Sequence, residues 1–169
     1  MKYTLEIQKR LLQVENGNLS PHEKALLLKE AIRIADENDD PQWAVEMRLD
    51  LIYELNLLSQ AEEEIAVFSR ILDDYENNKD LISENDILWK YKWICGAAFD
   101  VPEVSQSQID AILEDFKIRT LRNGYSARAY YHLLFLHYNR MRQYDLAKEY
   151  ADKMLSEKLD DMICEACEL

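Results

Sequence analysis

Residues 131–154 read YHLLFLHYNRMRQYDLAKEYADKM, and this stretch decides the fold class. Tyr131, Leu134, Phe135 and Tyr138 recur at spacings of three and four, which is the period of one helix face. After a short break at Arg142-Gln143 the same spacing resumes with Ala147, Tyr150, Ala151, Met154 and Leu155. Two amphipathic helices, over 125–141 and 144–158, joined by so short a link are expected to pack antiparallel.

Working outward, the punctuation cuts the rest of the chain into segments of similar length. Asn123-Gly124 ends the preceding helix, glycine entering the left-handed conformation at low cost. Asp100-Val101-Pro102 interrupts again, and Ser83 offers a cap for a helix over 84–99. Asp39-Asp40-Pro41 is a helix start, with an acidic cap followed by a proline whose missing N–H is not needed there. Helices over 3–16, 20–38, 41–58 and 61–77 complete the set. In the second, Leu26, Leu27, Ala31, Ile34 and Ala35 form the apolar stripe; in the fourth, Ile65, Phe68, Ile71 and Leu72 do so.

The leading helices of successive pairs begin near residues 3, 41, 84 and 125, at intervals of 38, 43 and 41. A recurrence of about forty residues predicts a solenoid, each pair burying its apolar side against the next. A non-repeating bundle with the same number of helices is the alternative.

Composition narrows the function classes. The formal net charge of −13 disfavours nucleic acid and anionic lipid as partners. No apolar run is long enough for a membrane span, and Met1-Lys2-Tyr3-Thr4-Leu5-Glu6 does not have the form of a signal peptide. Three cysteines, Cys95, Cys164 and Cys167, are too few and too unevenly placed for a disulfide framework, so a reducing cytoplasm is expected.

The quoted stretch resembles a tetratricopeptide repeat. Tyr131, Leu134, Phe135 and Tyr138 are spaced as that family spaces its large, leucine, small and aromatic positions; Tyr144 and Ala147 fall where it places an aromatic and its packing alanine. Phe135 replaces the preferred glycine. In the third pair Gly96 takes the small position; in the second, Leu51, Leu55 and Phe68 fit, but Glu64 stands in place of the alanine. The span from Ala25 to Phe68 is similar to a longer-loop variety common in bacterial regulatory proteins. The resemblance covers residues 20–158 and implies an all-α, right-handed solenoid of about four antiparallel pairs, 3–38, 41–77, 84–122 and 125–158, forming a single domain. It also implies a concave groove, lined by the first helix of each pair, that holds a peptide or partner segment. Projected onto this chain, that groove comprises Tyr53, Asn56 and Leu57, then Lys90 and Trp93, then His132, Leu136, Asn139 and Arg140. Asn56 and Asn139 are equivalent and suited to gripping a peptide backbone; Lys90 and Arg140 suit a carboxylate, and Trp93 an apolar side chain.

The charge pattern adds a second lead. From residue 117 to 143 there is no acid, but Lys117, Arg119, Arg122, Arg128, Arg140 and Arg142 are all present. Residues 41–83 hold ten acids against three bases. Arginines among tyrosines are common in interface anchors, although a solvated basic edge over core aromatics explains them equally.

No catalytic constellation emerges. His132 and His137 are five apart, a poor spacing for one helix face, and no phosphate loop is present. Cys164 and Cys167 have the spacing of half a zinc site, but only Cys95, His22, His132 and His137 remain to complete it. Two small semi-buried residues is the simpler reading; a redox pair is the third. The tail from Leu159 through Met162 and Ile163 looks like the opening of another helix, as in a longer chain; folding back, or cover by a second copy in a homodimer, are the alternatives. The expectation is therefore a peptide- or protein-binding scaffold with neither catalysis nor cofactor. An acidic inhibitor covering a basic partner site is the second reading, and a Cys-based metal or redox protein the third.

Overall fold

The computed structural model describes residues 2–162. Among them are eight helices and no strand: α1 (Lys2–Asn16), α2 (Pro21–Glu37), α3 (Pro41–Leu57), α4 (Ala61–Asn77), α5 (Glu84–Ala98), α6 (Gln106–Arg122), α7 (Arg128–Arg140) and α8 (Tyr144–Ser156). They form two compact units, one ending at Ser83 and one beginning at Glu84. In the N-terminal unit α1 packs on α2, α2 on α3, and α3 on α4. In the C-terminal unit α5 packs on α6 and α7 on α8, and α7 also lies against α5 and α6. The described residues are all-α, and within each unit the helices pack on their sequence neighbours, consistent with the stacked helix pairs that a forty-residue recurrence predicts. No helix among the described residues is long and apolar enough to cross a membrane.

Local chemistry explains the boundaries. Ser20 with Glu23, and Ser105 with Gln108, form reciprocal capping boxes that start α2 and α6. Asp40 accepts from the Trp43 N–H at the start of α3, with Pro41 in the first turn. Four helices end in one device. Asp40, Gln60, Tyr125 and Gln143 each donate a backbone N–H to a carbonyl five residues earlier: Ala35, Leu55, Thr120 and Tyr138. The preceding residue in each case is left-handed: Asp39 (φ 52°), Ser59 (φ 55°), Gly124 (φ 82°) and Arg142 (φ 57°). One such cap displaces the start of α7 from residue 125 to Arg128, because Tyr125 is used to close α6.

The core of the N-terminal unit is built on α2. Leu28, Ala31, Ile34 and Ala35 pack with Ile7 of α1 and Ala44, Met47, Leu51 and Leu55 of α3. Small residues on α2 let its neighbours approach closely on both sides. Gly17, at the end of α1, is fixed by space: a Cβ there would lie 2.4 Å from the Gln13 carbonyl oxygen and 2.8 Å from Leu19 Cγ. The C-terminal unit centres on Phe116, fully buried, with Tyr91 edge-on to it at 5.8 Å between ring centroids. The Tyr91 hydroxyl donates to Asp115 (2.9 Å), so the buried phenol keeps a partner.

A buried cation ties helices of the N-terminal unit together. Arg48 of α3 donates to both Asp36 oxygens on α2 (2.8 and 2.7 Å) and to Asp74 on α4 (3.1 Å). Its guanidinium fork thus ties three helices through charge-assisted bonds.

Candidate functional site

The face expected to bind a partner lies, in the C-terminal unit, on α5 and α7. Tyr125, just before α7, donates to Asn85 at the start of α5; Arg140, at the end of α7, pairs with Asp100, just past the end of α5 (2.9 Å). Both contacts join residues forty apart, so the two helices run parallel. Their open sides then form a shared face. On α7 it carries His132, Leu136 and Asn139, at helical spacings of four and three, in line with the buried Arg128 one turn before them. On α5 the open strip is Trp89, Trp93 and Gly96, with Lys92 and Lys90 on its two edges.

The expected residues are distributed as follows. Lys90 and Trp93 are half-buried, the ammonium lying 4.4 Å from the Trp93 ring centroid. His132 is half-buried with its ring stacked near Phe135 at 6.4 Å, whereas Leu136 and Asn139 are open to solvent. Arg140 is exposed and held by an equally exposed Asp100, an ion pair worth about 0–1 kcal/mol and readily exchanged for a ligand carboxylate. Tyr53, Asn56 and Leu57 are also exposed, but they belong to α3 in the N-terminal unit. Asn56 is turned towards Glu64, its amide 3.5 Å from both carboxylate oxygens. Glu64 itself is buried, the amide helping to solvate a carboxylate placed where a packing alanine was expected. Cys164 and Cys167 lie outside the described residues.

The structure adds to this face a feature that the sequence did not reveal. Beyond α8 the chain turns extended at Glu157 (φ −79°, ψ 153°) and crosses back over the start of α7. Side chains grip its backbone along the way. The Arg128 guanidinium donates to the carbonyl of Glu157 (2.9 Å) and, inside the last turn of α8, to that of Met154 (3.0 Å), capping the helix end as well. The Ser126 hydroxyl donates to the Lys158 carbonyl (2.8 Å), and its N–H to the Asp160 carboxylate (2.6 Å). Lys92, on α5, reaches the Met162 carbonyl (2.8 Å) while its ammonium lies 3.9 Å from the Trp89 ring centroid. Asp160 also accepts from the Met162 N–H (3.0 Å), and the Met162 side chain is fully buried.

The placement follows from the local sequence. The cap residue of α7 is Ala127, whose side chain cannot satisfy the first-turn N–H groups. Ser126 accepts from the Arg128 N–H (3.2 Å), and Asp160 brings a negative charge to the positive end of the helix. Ser126, Arg128 and Lys92 therefore form a seat for extended backbone at one end of the α5–α7 face, and Leu136 and Asn139 remain open at the other.

The basic window is largely neutralised within its own unit. Lys117 pairs with Glu114, Arg119 with Asp115 and Glu84, and Arg122 with Glu84. The tyrosines of that window mostly serve the α7–α8 contact. Tyr150 stacks on Tyr138 (5.3 Å, 4° between planes) and on Tyr131 (6.2 Å). His137 points away from the open face, as its helix register predicts; it is buried with its ring 4.5 Å from Phe99, and burial lowers its pKa.

Among the described residues no group of three or more His, Cys, Asp or Glu side chains is arranged to hold a metal ion. In comparisons with known proteins, no family model matches the chain, and neither a curated protein nor a solved structure shows significant similarity to it.

Proposed function

We propose that this chain is a non-catalytic binding module whose α5–α7 face takes up an extended segment of a partner protein. One observation carries the reading: that face already holds a non-helical stretch of backbone, residues 157–162, extended at Glu157 and turned at 161–162, through side-chain donors on α5 and at the start of α7. Gripping carbonyls fixes an extended chain whatever its side chains are, leaving individual pockets to supply selectivity. The parallel, forty-residue relation of α5 and α7 supports a tetratricopeptide-like solenoid, and a cytoplasmic, bacterial setting belongs to the same reading. Asn139 offers an amide with no side-chain partner among the described residues, and Arg140 a cation held only by a surface pair.

A random peptide library displayed against the full chain tests this. Enriched peptides are expected to lose binding to the Asn139→Ala/Arg140→Ala double variant, with helicity and melting temperature nearly unchanged. No enrichment, or equal binding to that variant, overturns the assignment.

The acidic-inhibitor reading finds a specific feature in the N-terminal unit. Asp36, Asp39, Asp40 and Asp74 surround a recess of about 640 Å³ shared with Arg48 and Arg70. A basic partner docking there would associate at a rate that falls steeply with added salt.

A further inference from the structure

Residues 157–162 also define what the seat selects. From Leu159 on the side chains alternate: Leu159 and Asp161 are exposed, whereas Asp160 faces Ser126 and Met162 is fully buried. The inward positions make the only side-chain-specific contacts this stretch shows. Asp160 places one carboxylate oxygen on the Ser126 N–H and the other on the Met162 N–H, a turn that delivers the methionine inward. The Met162 carbonyl then receives Lys92, so the position of the apolar side chain and the anchoring of the backbone are set together.

We infer that the seat formed by Ser126, Arg128 and Lys92 is a binding site for an acidic-then-apolar segment, a carboxylate followed two residues later by a long apolar side chain. The chain's own 160–162 is its resident occupant. A partner bearing the same pattern displaces that occupant and runs on towards His132, Leu136 and Asn139. This inference rests on the proposed function and narrows its ligand. The seat matches such a segment by charge, because the start of α7 is the positive end of a helix and Lys92 and Arg128 are both cationic. It also matches by shape, because an unbranched thioether adapts to the slot in which Met162 is buried.

The test uses the full chain carrying Asp160→Ala and Met162→Ala, which empties the seat. The probe is a fluorescent hexapeptide of residues 157–162, beside a control hexapeptide with alanine at its aspartate-160 and methionine-162 positions. The emptied chain is expected to bind the native hexapeptide at least tenfold more tightly than wild type does, because wild type presents its own copy at high effective concentration. It should discriminate against the control, and adding Lys92→Met should remove at least tenfold of the affinity. Equal binding of the two peptides, or no binding by an emptied chain that keeps its helicity, overturns the inference. So does a concentration-dependent dimer in the absence of peptide, which would identify a second copy as the true occupant.

Should the emptied chain lose its helicity, wild type labelled with ¹³C-methyl methionine serves as the second measurement. Millimolar hexapeptide should move the Met162 methyl signal from a buried to a solvent-exposed shift; an unmoved signal overturns the displacement. Library peptides that need Asn139 and Arg140 but lack the acidic-then-apolar pattern would refute this inference and leave the proposed function standing.

Discussion

Lys92 on α5 donates to the main-chain carbonyl of Met162, seventy residues further along the chain, across the face that α5 shares with α7. This single bond joins a helix flank to the turn at 161–162. It shows in one place how the face handles backbone: a cation on an aromatic platform, reaching a carbonyl that has left its own helix. Changing Lys92 to methionine keeps the stem and removes the donor. Proteolysis at the exposed Lys158 by a lysine-specific protease is expected to accelerate several-fold, with far-ultraviolet helicity unchanged. An unchanged cleavage rate would mean that the bond does not hold the segment.

The buried guanidinium of the N-terminal unit leads to a stability prediction. Arg48→Ala leaves Asp74 only 12% exposed, with Arg70 as its remaining cation, whereas Asp36 stays well solvated. Breaking a fully buried pair costs about 3–5 kcal/mol. With these partial compensations the expected loss is about 2–3 kcal/mol, read from urea denaturation. Arg48→Met should recover part of that loss through packing of its stem.

The three non-glycine left-handed caps predict gains. A residue with a Cβ loses about 1–2 kcal/mol in that conformation, and glycine gives back about 0.5–1 kcal/mol through unfolded-state entropy. Ser59→Gly and Arg142→Gly should each stabilise by about 0.5–1 kcal/mol. Gly124→Ala and Gly17→Ala should destabilise, the first through its backbone angle and the second through its clash with Gln13. Thermal melts of the four variants check the signs.

Two sides of the pH profile have named causes. Burial raises the pKa of Tyr91 and of Cys95, and for Tyr91 the hydrogen bond to Asp115 adds to the effect. Both are neutral when protonated, so their contribution to stability is full below the unfolded pKa values. It is lost as pH rises past about 8.5 for the thiol and about 10 for the phenol. Burial lowers the pKa of His137, so its contribution is full above about 6.5 and is lost as pH falls through the folded value. Denaturation between pH 5 and 10 should show both limbs, and His137→Leu should flatten the acidic one. Alkylation of Cys95 at pH 8, followed by peptide mapping, should proceed only in denaturant.

How much of this was legible beforehand depends on how far apart the determinants lie. Helices and turns were readable because Asp40, Pro41 and Gly124 act on their own neighbours, and because Tyr131, Leu134 and Tyr138 repeat within one helix. The stripe of His132, Leu136 and Asn139 came from the tetratricopeptide resemblance, as its groove positions projected onto this chain. The seat did not. Ser126 and Asp160 are thirty-four residues apart, and Lys92 and Met162 seventy, and no period connects them. Arg128 read as one more base in a window without acids, although it lies four residues before His132 on the same stripe. Leu159 and Met162 suggested the opening of another helix; Leu159 and Asp160 are not helical, Asp161 and Met162 form a turn, and the rest of that segment lies outside the described residues. The paired charges of Arg119, Arg122 and Arg140 were equally out of reach, since their acids lie outside the window that made them conspicuous.

Chemical-shift mapping of the ¹⁵N-labelled full chain, titrated with the tightest peptide recovered from the display library, probes the binding face most directly. Perturbations are expected to concentrate on residues 89–96 of α5 and 126–139 of α7, with those of 157–162 shifting as the resident segment leaves. Perturbations confined to α1–α4, or to the Tyr131, Tyr138 and Tyr150 side of α7, would contradict the assignment of that face.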